Sequence, residues 1–363
     1  MKKMIYLILI FVMLGLSSCI KIDIKLPDDT NFSDLTVNQR DNFIRYIYTA
    51  YNKGAGYDFD KLKSYADDAN YKYDDNVLAF YKYLVGEYTL NDIKTRVPFD
   101  GTDKHYDERI ITYIKSIITR FQTDVNNTTS TNWFIGTFNE KVPSMPSKYN
   151  SSFNYLNPEL TTAYDKRTEL INRVYDLLKY YYGSDSVYLF GEWFKEYFPT
   201  KSLSDTELKE YATYLVDCAN AYTNTNLTLN RKQSTTSTFY KEKVIIKDVP
   251  VELLLATSIQ ESRLFPGSFR AEVINDNIYA VSFGLTHTLI DADFLYLSDS
   301  NQDIGDDSKG ERNFDLLSYW YFGNNRNEET YFSDWDLMTV RGSFLYASTF
   351  LELIYQKYIS FIK

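Results

Sequence analysis

Apolar side chains return every third or fourth residue through long stretches of this chain, which is the spacing of one helix face and not of a strand. From Tyr106 to Val125 the series is Ile110, Ile114, Ile117, Ile118, Phe121 and Val125. Asn157-Pro158 reads as an N-cap with a first-turn proline, followed by the stripe Leu160, Tyr164, Ile171, Val174, Leu178 and Tyr181, with Gly183 as the stop. Ser204-Asp205-Thr206-Glu207 is a capping box that opens a further helix through about Tyr222. Polar breaks at 126–132, 143–152 and 231–238 separate these segments, and Lys243 to Ile246 is the best short strand. No repeat of solenoid period is found. The expected fold is mainly α, with a small β element at most.

The first nineteen residues place constraints of another kind. Lys2 and Lys3 precede the apolar run Met4 to Leu16, which ends in Leu16-Ser17-Ser18-Cys19. A basic start, a short apolar run and small residues before a cysteine are the marks of an export signal, here of the lipobox kind found in bacteria, in which the cysteine sulfur is acylated and the chain is cut before it. Residues 1–18 are therefore read as a lipoprotein signal peptide, and 19–36 as the lipidated Cys19 and a tether. The expected location is the cell envelope, outside the cytoplasm, with the body anchored to a membrane through lipid. Beyond Cys19 only Cys218 remains, so an intrachain disulfide is excluded and stability has to come from packing.

Composition removes several classes of function. The chain carries a formal charge of −10, and about −12 once the leader with its two lysines is gone, which argues against a nucleic-acid partner. Two histidines, His105 and His287, are too few for a His-rich zinc centre. Phosphate-binding and dinucleotide-binding glycine loops are absent from the sequence. Asp299 to Asp307 alternates oxygen ligands like a calcium loop, yet its glycine falls at the seventh position and Gly310 stands where the bidentate glutamate belongs, so no metal and no cofactor is expected. The 34 tyrosines could stack on sugar rings, but most such residues in any chain serve the core or an amphipathic surface.

The chemistry concentrates after residue 247. Asp248-Val249-Pro250 starts a helix with the apolar interior Val251 to Gln260, which runs into Glu261-Ser262-Arg263 and is stopped by Pro266-Gly267. Glu261 falls at the negative end of the helix dipole beside Leu264 and Phe265. Both influences disfavour an ionised carboxylate, raise its pKa and suit it to general-acid work.

Ala256 to Arg263, followed about twenty residues later by Ser282-Phe283-Gly284-Leu285-Thr286-His287, resembles the soluble lytic transglycosylase branch of the lysozyme-like superfamily. In that family a Glu-Ser pair ends a buried helix and a Gly-Leu-Met-Gln segment forms the opposite wall of a sugar groove. Asp336 to Tyr355, with Gly342 and an apolar ladder, is similar to a later helix of the family. The resemblance spans roughly 244–358 and implies a lysozyme-like helical domain with an additional helical region. It makes Glu261 the catalytic residue and Ser262, Ser282, Gly284, Leu285 and His287 substrate-binding residues. Thr286-His287 departs from the family's Met-Gln, and an imidazole cannot present the paired donor and acceptor of an amide.

A second departure concerns chain order. The family continues to an Ala-Tyr-Asn-x-Gly helix, for which no room is left before Lys363, yet Thr49-Ala50-Tyr51-Asn52-Lys53-Gly54-Ala55-Gly56 near the other end matches it and follows the apolar segment Phe43 to Tyr48. Asp75 to Tyr81 is similar to the family's closing helix. A circular permutation follows, in which 37–90 completes the domain formed by 241–363, and 91–240 is a helical insertion or accessory domain. Tyr51 and Asn52 then join the site.

What the resemblance implies chemically needs one carboxyl group. Protonated Glu261 gives its proton to the glycosidic oxygen between N-acetylmuramic acid and N-acetylglucosamine, then as carboxylate takes the proton of the muramic C6 hydroxyl as that oxygen closes on C1, leaving a 1,6-anhydro end. The partner is the peptidoglycan glycan strand. Two alternatives stay open: a muramidase using a second carboxylate, for which Asp276, Asp291 and Asp293 are near in sequence, and a non-catalytic envelope-binding lipoprotein on a degenerate fold.

Overall fold

The computed structural model describes residues 26, 29–54, 57–98, 160, 163–183, 204–223, 228–231, 243–265, 268–274, 277–291, 320–321 and 340–362. Eight α-helices lie among them: α1 (Val37–Lys53), α2 (Phe59–Ala66), α3 (Tyr73–Leu84), α4 (Leu90–Arg96), α5 (Arg167–Tyr182), α6 (Asp205–Thr223), α7 (Val251–Ser262) and α8 (Val340–Tyr358). Six short strands, β1 (Thr228–Arg231), β2 (Lys243–Ile245), β3 (Phe269–Ile274), β4 (Asn277–Phe283), β5 (Thr288–Asp291) and β6 (Trp320–Tyr321), form two antiparallel three-stranded sheets, ordered β2-β1-β6 and β3-β4-β5. The protein is mainly α.

The helices begin where local chemistry says they should. Thr36 caps α1 with its hydroxyl on the Gln39 amide at 3.4 Å, and the Gln39 side chain returns to the Thr36 amide at 3.0 Å. The Ser204–Glu207 box opens α6 in the same way. One face of α1 (Phe43, Ile44, Ile47, Ala50) is fully buried and packs on α3 and α8. Helix α7 differs, because Leu253, Leu254, Leu255, Ala256 and Ile259 have no exposure on any side. A helix apolar all round belongs in the middle of a core, and α7 is enclosed by α3, α6 and α8.

Three stretches far apart in sequence thus share one core, with α1 and α3 from the first hundred residues, α5 and α6 from the middle, and α7 and α8 from the end. The middle helices do more than pack. Tyr182 of α5 donates to the Arg263 carbonyl at 2.7 Å, and Tyr211 of α6 donates to the Leu264 carbonyl at 2.8 Å. Both carbonyls belong to the left-handed turn that ends α7, where Arg263 has φ 54° and Leu264 φ 65°. The two phenols thereby satisfy carbonyl groups that a helix end leaves without intrahelical partners.

Some expectations shift. The stripe after Asn157 becomes a helix only at Arg167: Lys166 takes a left-handed φ of 61°, and Arg167 is fixed by a two-pronged ion pair to Asp217 of α6, at 2.7 Å from each nitrogen. The tether expected through residue 36 is shorter, because Leu26 donates its amide to Ser360 at 2.8 Å and Thr30 accepts from Tyr355 at 2.9 Å. The β3-β4-β5 meander exceeds the small element expected at Lys243 to Ile246. Cys19, the 106–125 helix, Asn157-Pro158, Asp276, Asp293, the 299–310 loop and 336–339 lie outside the described residues, as does the side chain of Asp291.

Candidate active site

Glu261 is the last residue but one of α7, and its side chain is 12% exposed. Three elements converge on it. From α1, Tyr48 donates its phenol to Glu261 Oε1 at 2.7 Å. From the turn Gly284–His287 between β4 and β5, the His287 ring brings Nδ1 to 3.7 Å from Oε2. Tyr51, one turn beyond Tyr48 on the same helix face, donates to the Thr286 carbonyl at 2.7 Å, so α1 grips the turn as well as the carboxyl.

The electrostatics agree with this placement. Burial pushes the Tyr48 phenol well above its ordinary pKa, and the Glu261 charge and the hydrogen bond to it push further. Tyr51 moves the same way, first through burial and then through Glu261. Tyr71, before α3, is raised by burial and by Asp74, with a smaller contribution from Glu261. All three phenols are thus held as neutral hydrogen-bonding groups around one carboxyl group.

The remaining expected residues divide into wall and frame. Ser262 is 2% exposed, and its hydroxyl donates to the carbonyls of Leu285 (2.6 Å) and Ser258 (3.0 Å). It therefore ties α7 to the β4–β5 turn. Leu285 is fully buried; its amide donates to Ser343 Oγ of α8 at 3.2 Å, so it too is frame. Gly284 has φ 81°, open to glycine at no steric cost, and donates to the Ser268 carbonyl at 2.9 Å. Asn52, exposed beside Tyr51 on α1, accepts from Tyr71 at 3.2 Å. Ser282 sits half-buried in β4 opposite Leu289 and Arg270.

Tyr48 was not among the expected residues; Tyr51 was. The available signal was their three-residue separation, which puts both on one helix face, whereas the motif marks only the second. Beyond Tyr71 opens a hollow of about 540 Å³ whose walls include Arg45, Tyr71, Lys72, Tyr88 and Arg96.

An imidazole, a carboxyl group and phenol donors within a few ångströms are equipped for proton transfer. Compared with known protein families, curated proteins and solved structures, the chain matches none.

Proposed function

We propose that the chain is a lipid-anchored lytic transglycosylase that cleaves peptidoglycan glycan strands between N-acetylmuramic acid and N-acetylglucosamine and leaves 1,6-anhydro ends. The observation that carries this is the Tyr48–Glu261 hydrogen bond. It sets the N-terminal helix that bears the Ala-Tyr-Asn motif against the helix that ends in Glu-Ser, the juxtaposition a permuted lysozyme-like domain requires. The close ties between 26–57 and 355–360, such as Tyr358 to the Tyr57 carbonyl at 2.6 Å, support the same reading, because permutation calls for one body built from both ends of the chain.

In this mechanism Glu261 acts first as acid and then as base. Tyr48 holds Oε1, and Oε2 serves the glycosidic oxygen and, in the second step, the muramic C6 hydroxyl. The β4–β5 turn, locked by Ser262, Tyr51 and Ser343, forms the facing wall. Purified glycan strands incubated with the protein should yield anhydro-ended fragments, and Glu261→Gln should lower the yield by about a thousandfold or more while leaving the fold intact. Reducing ends in place of anhydro ends would turn the reading to a muramidase. No release at all would turn it to an envelope-binding lipoprotein.

A further inference from the structure

Where the resembled family carries glutamine, this chain carries His287, and its surroundings are built. The residue takes a left-handed φ of 45°, in a turn closed by its own amide on the Gly284 carbonyl at 3.2 Å. A non-glycine residue held in that region persists only where its neighbours fix it. Here they do: Tyr51 holds the Thr286 carbonyl, and Thr286 Oγ1 reaches the Ser343 carbonyl at 3.3 Å. The ring is held at its far end as well, with Nε2 2.7 Å from Ser268 Oγ. A hydroxyl both donates and accepts, so Ser268 satisfies Nε2 whether or not that nitrogen carries a proton. Its near end, Nδ1, faces Oε2 of Glu261, while Tyr48 holds Oε1.

We propose that His287 is the proton partner of Glu261, the two groups sharing one proton across the Oε2–Nδ1 gap. This rests on the transglycosylase reading for its catalytic meaning, though not for the pairing itself. With one proton in the pair, the resting form is imidazolium beside carboxylate. As substrate enters, the proton passes from Nδ1 to Oε2, directly or through one water in the 3.7 Å gap, and from there to the glycosidic oxygen as the C1–O bond breaks. The C6 hydroxyl then attacks C1 and its proton goes to the carboxylate, which returns it to Nδ1. The pair ends with the proton it began with.

Among the described residues, the other groups facing the pair are three phenols from α1 and the segment ahead of α3, with an arginine at the end of α7. Tyr48 and Tyr51 from α1 and Tyr71 ahead of α3 are phenols held above their ordinary range. Tyr346 of α8 adds a small upward influence on Tyr51. Arg263, the nearest cation along α7, turns its guanidinium to the Ile259 and Gln260 carbonyls and over the Phe80 ring. A lone carboxyl group loses its proton once the pH passes its pKa, whereas a carboxyl–imidazole pair keeps one proton to higher pH. His287 therefore extends the working range of the acid toward neutral and alkaline pH.

The chain has two histidines, so two imidazole signals are expected by NMR, and His287→Gln assigns them by loss of one. In the Glu261→Gln variant the His287 pKa should fall by about one unit or more, because its anionic partner is gone. An unchanged value overturns the pairing, and this test needs no activity. In turnover of purified glycan strands from pH 5 to 9, His287→Gln should move the alkaline limb about one unit toward acid, with a loss of rate severalfold larger at pH 8 than at pH 5. An equal loss at every pH means a structural role and overturns the catalytic part. If the wild type cleaves no strands, the transglycosylase reading fails while the NMR shift still decides the pairing. If His287→Gln does not fold, Ser268→Ala serves for the rate measurement, with a smaller displacement in the same direction expected and a uniform loss again overturning the proposal.

Discussion

Tyr48 and Glu261 meet at 2.7 Å although 213 residues separate them in the chain. The contact joins the first helix to the seventh and takes one oxygen of a carboxyl group that α1, α7 and the β4–β5 turn all face. A phenol donating to a carboxylate is a charge-assisted hydrogen bond worth about 1.5–3 kcal/mol.

Replacing Tyr48 by Phe removes that donor and keeps the ring in the core. Release of anhydro-ended fragments is expected to fall about ten- to a hundredfold, with little change in the thermal midpoint. Turnover within twofold of wild type would remove Tyr48 from the chemistry.

The proposed lipid attachment rests on one sulfur atom. Cys19→Ala is expected to abolish incorporation of labelled fatty acid and to leave the protein out of the lipoprotein fraction. Labelling that persists in the variant would reject Cys19 as the acceptor.

Glu352 of α8 is fully buried and accepts from the Asp248 amide at 2.8 Å, the Lys247 amide at 3.2 Å and Gln356 Nε2 at 2.7 Å. Burial outweighs these bonds and lifts its pKa from 4.5 to about 7. A carboxyl group that holds its proton more tightly when folded favours the native state below its unfolded pKa, and that contribution is lost as pH rises through the folded one. Asp74 of α3, buried beside Arg45 and raised to about 6, acts in the same direction. Between pH 5 and pH 8 the denaturation midpoint should therefore fall, and Glu352→Gln should flatten that fall. Parallel pH dependences for the two proteins would show that Glu352 is not the group responsible.

A fragment that starts at Lys241 tests whether the C-terminal third stands alone. Without α1, α3 and α6, the sides of α7 and α8 that carry Leu253, Leu254, Phe344 and Leu351 would be open to water. The fragment is expected to be insoluble, or to keep helical circular dichroism without a cooperative thermal transition. Cooperative unfolding with full activity would refute the shared core.

The helical character and the positions of α6 and α7 were legible because caps and stripes are local: Ser204 finds Glu207 three residues on, and Gly183 ends α5 where the stripe ends. The start of α5 was not legible. An Asn-Pro pair signals a cap, but the Arg167–Asp217 ion pair, which depends on a helix fifty residues away, marks the place where the helix begins. Glu261 could be read from its own helix, whereas Tyr48 had only its three-residue spacing from Tyr51 to mark it among 34 tyrosines, a spacing that says nothing of what the face will meet. The β3-β4-β5 meander escaped for a related reason: its strands are short, and their pairing is fixed by a turn whose Gly284 and His287 take positive φ. Ser262 looked like part of the site because it adjoins Glu261, but successive helix residues point about a quarter-turn apart, and its own direction leads inward.

The bond from the Leu26 amide to Ser360, with Tyr355 holding Thr30, fastens the incoming chain to the far end of the last helix. If Cys19 carries lipid as proposed, seven residue steps lead from it to Leu26, a span of at most about 25 Å when fully stretched. A glycan strand would have to come to the membrane surface to be cut, so reach, no less than sugar recognition, would select which layer of the wall the protein can work on.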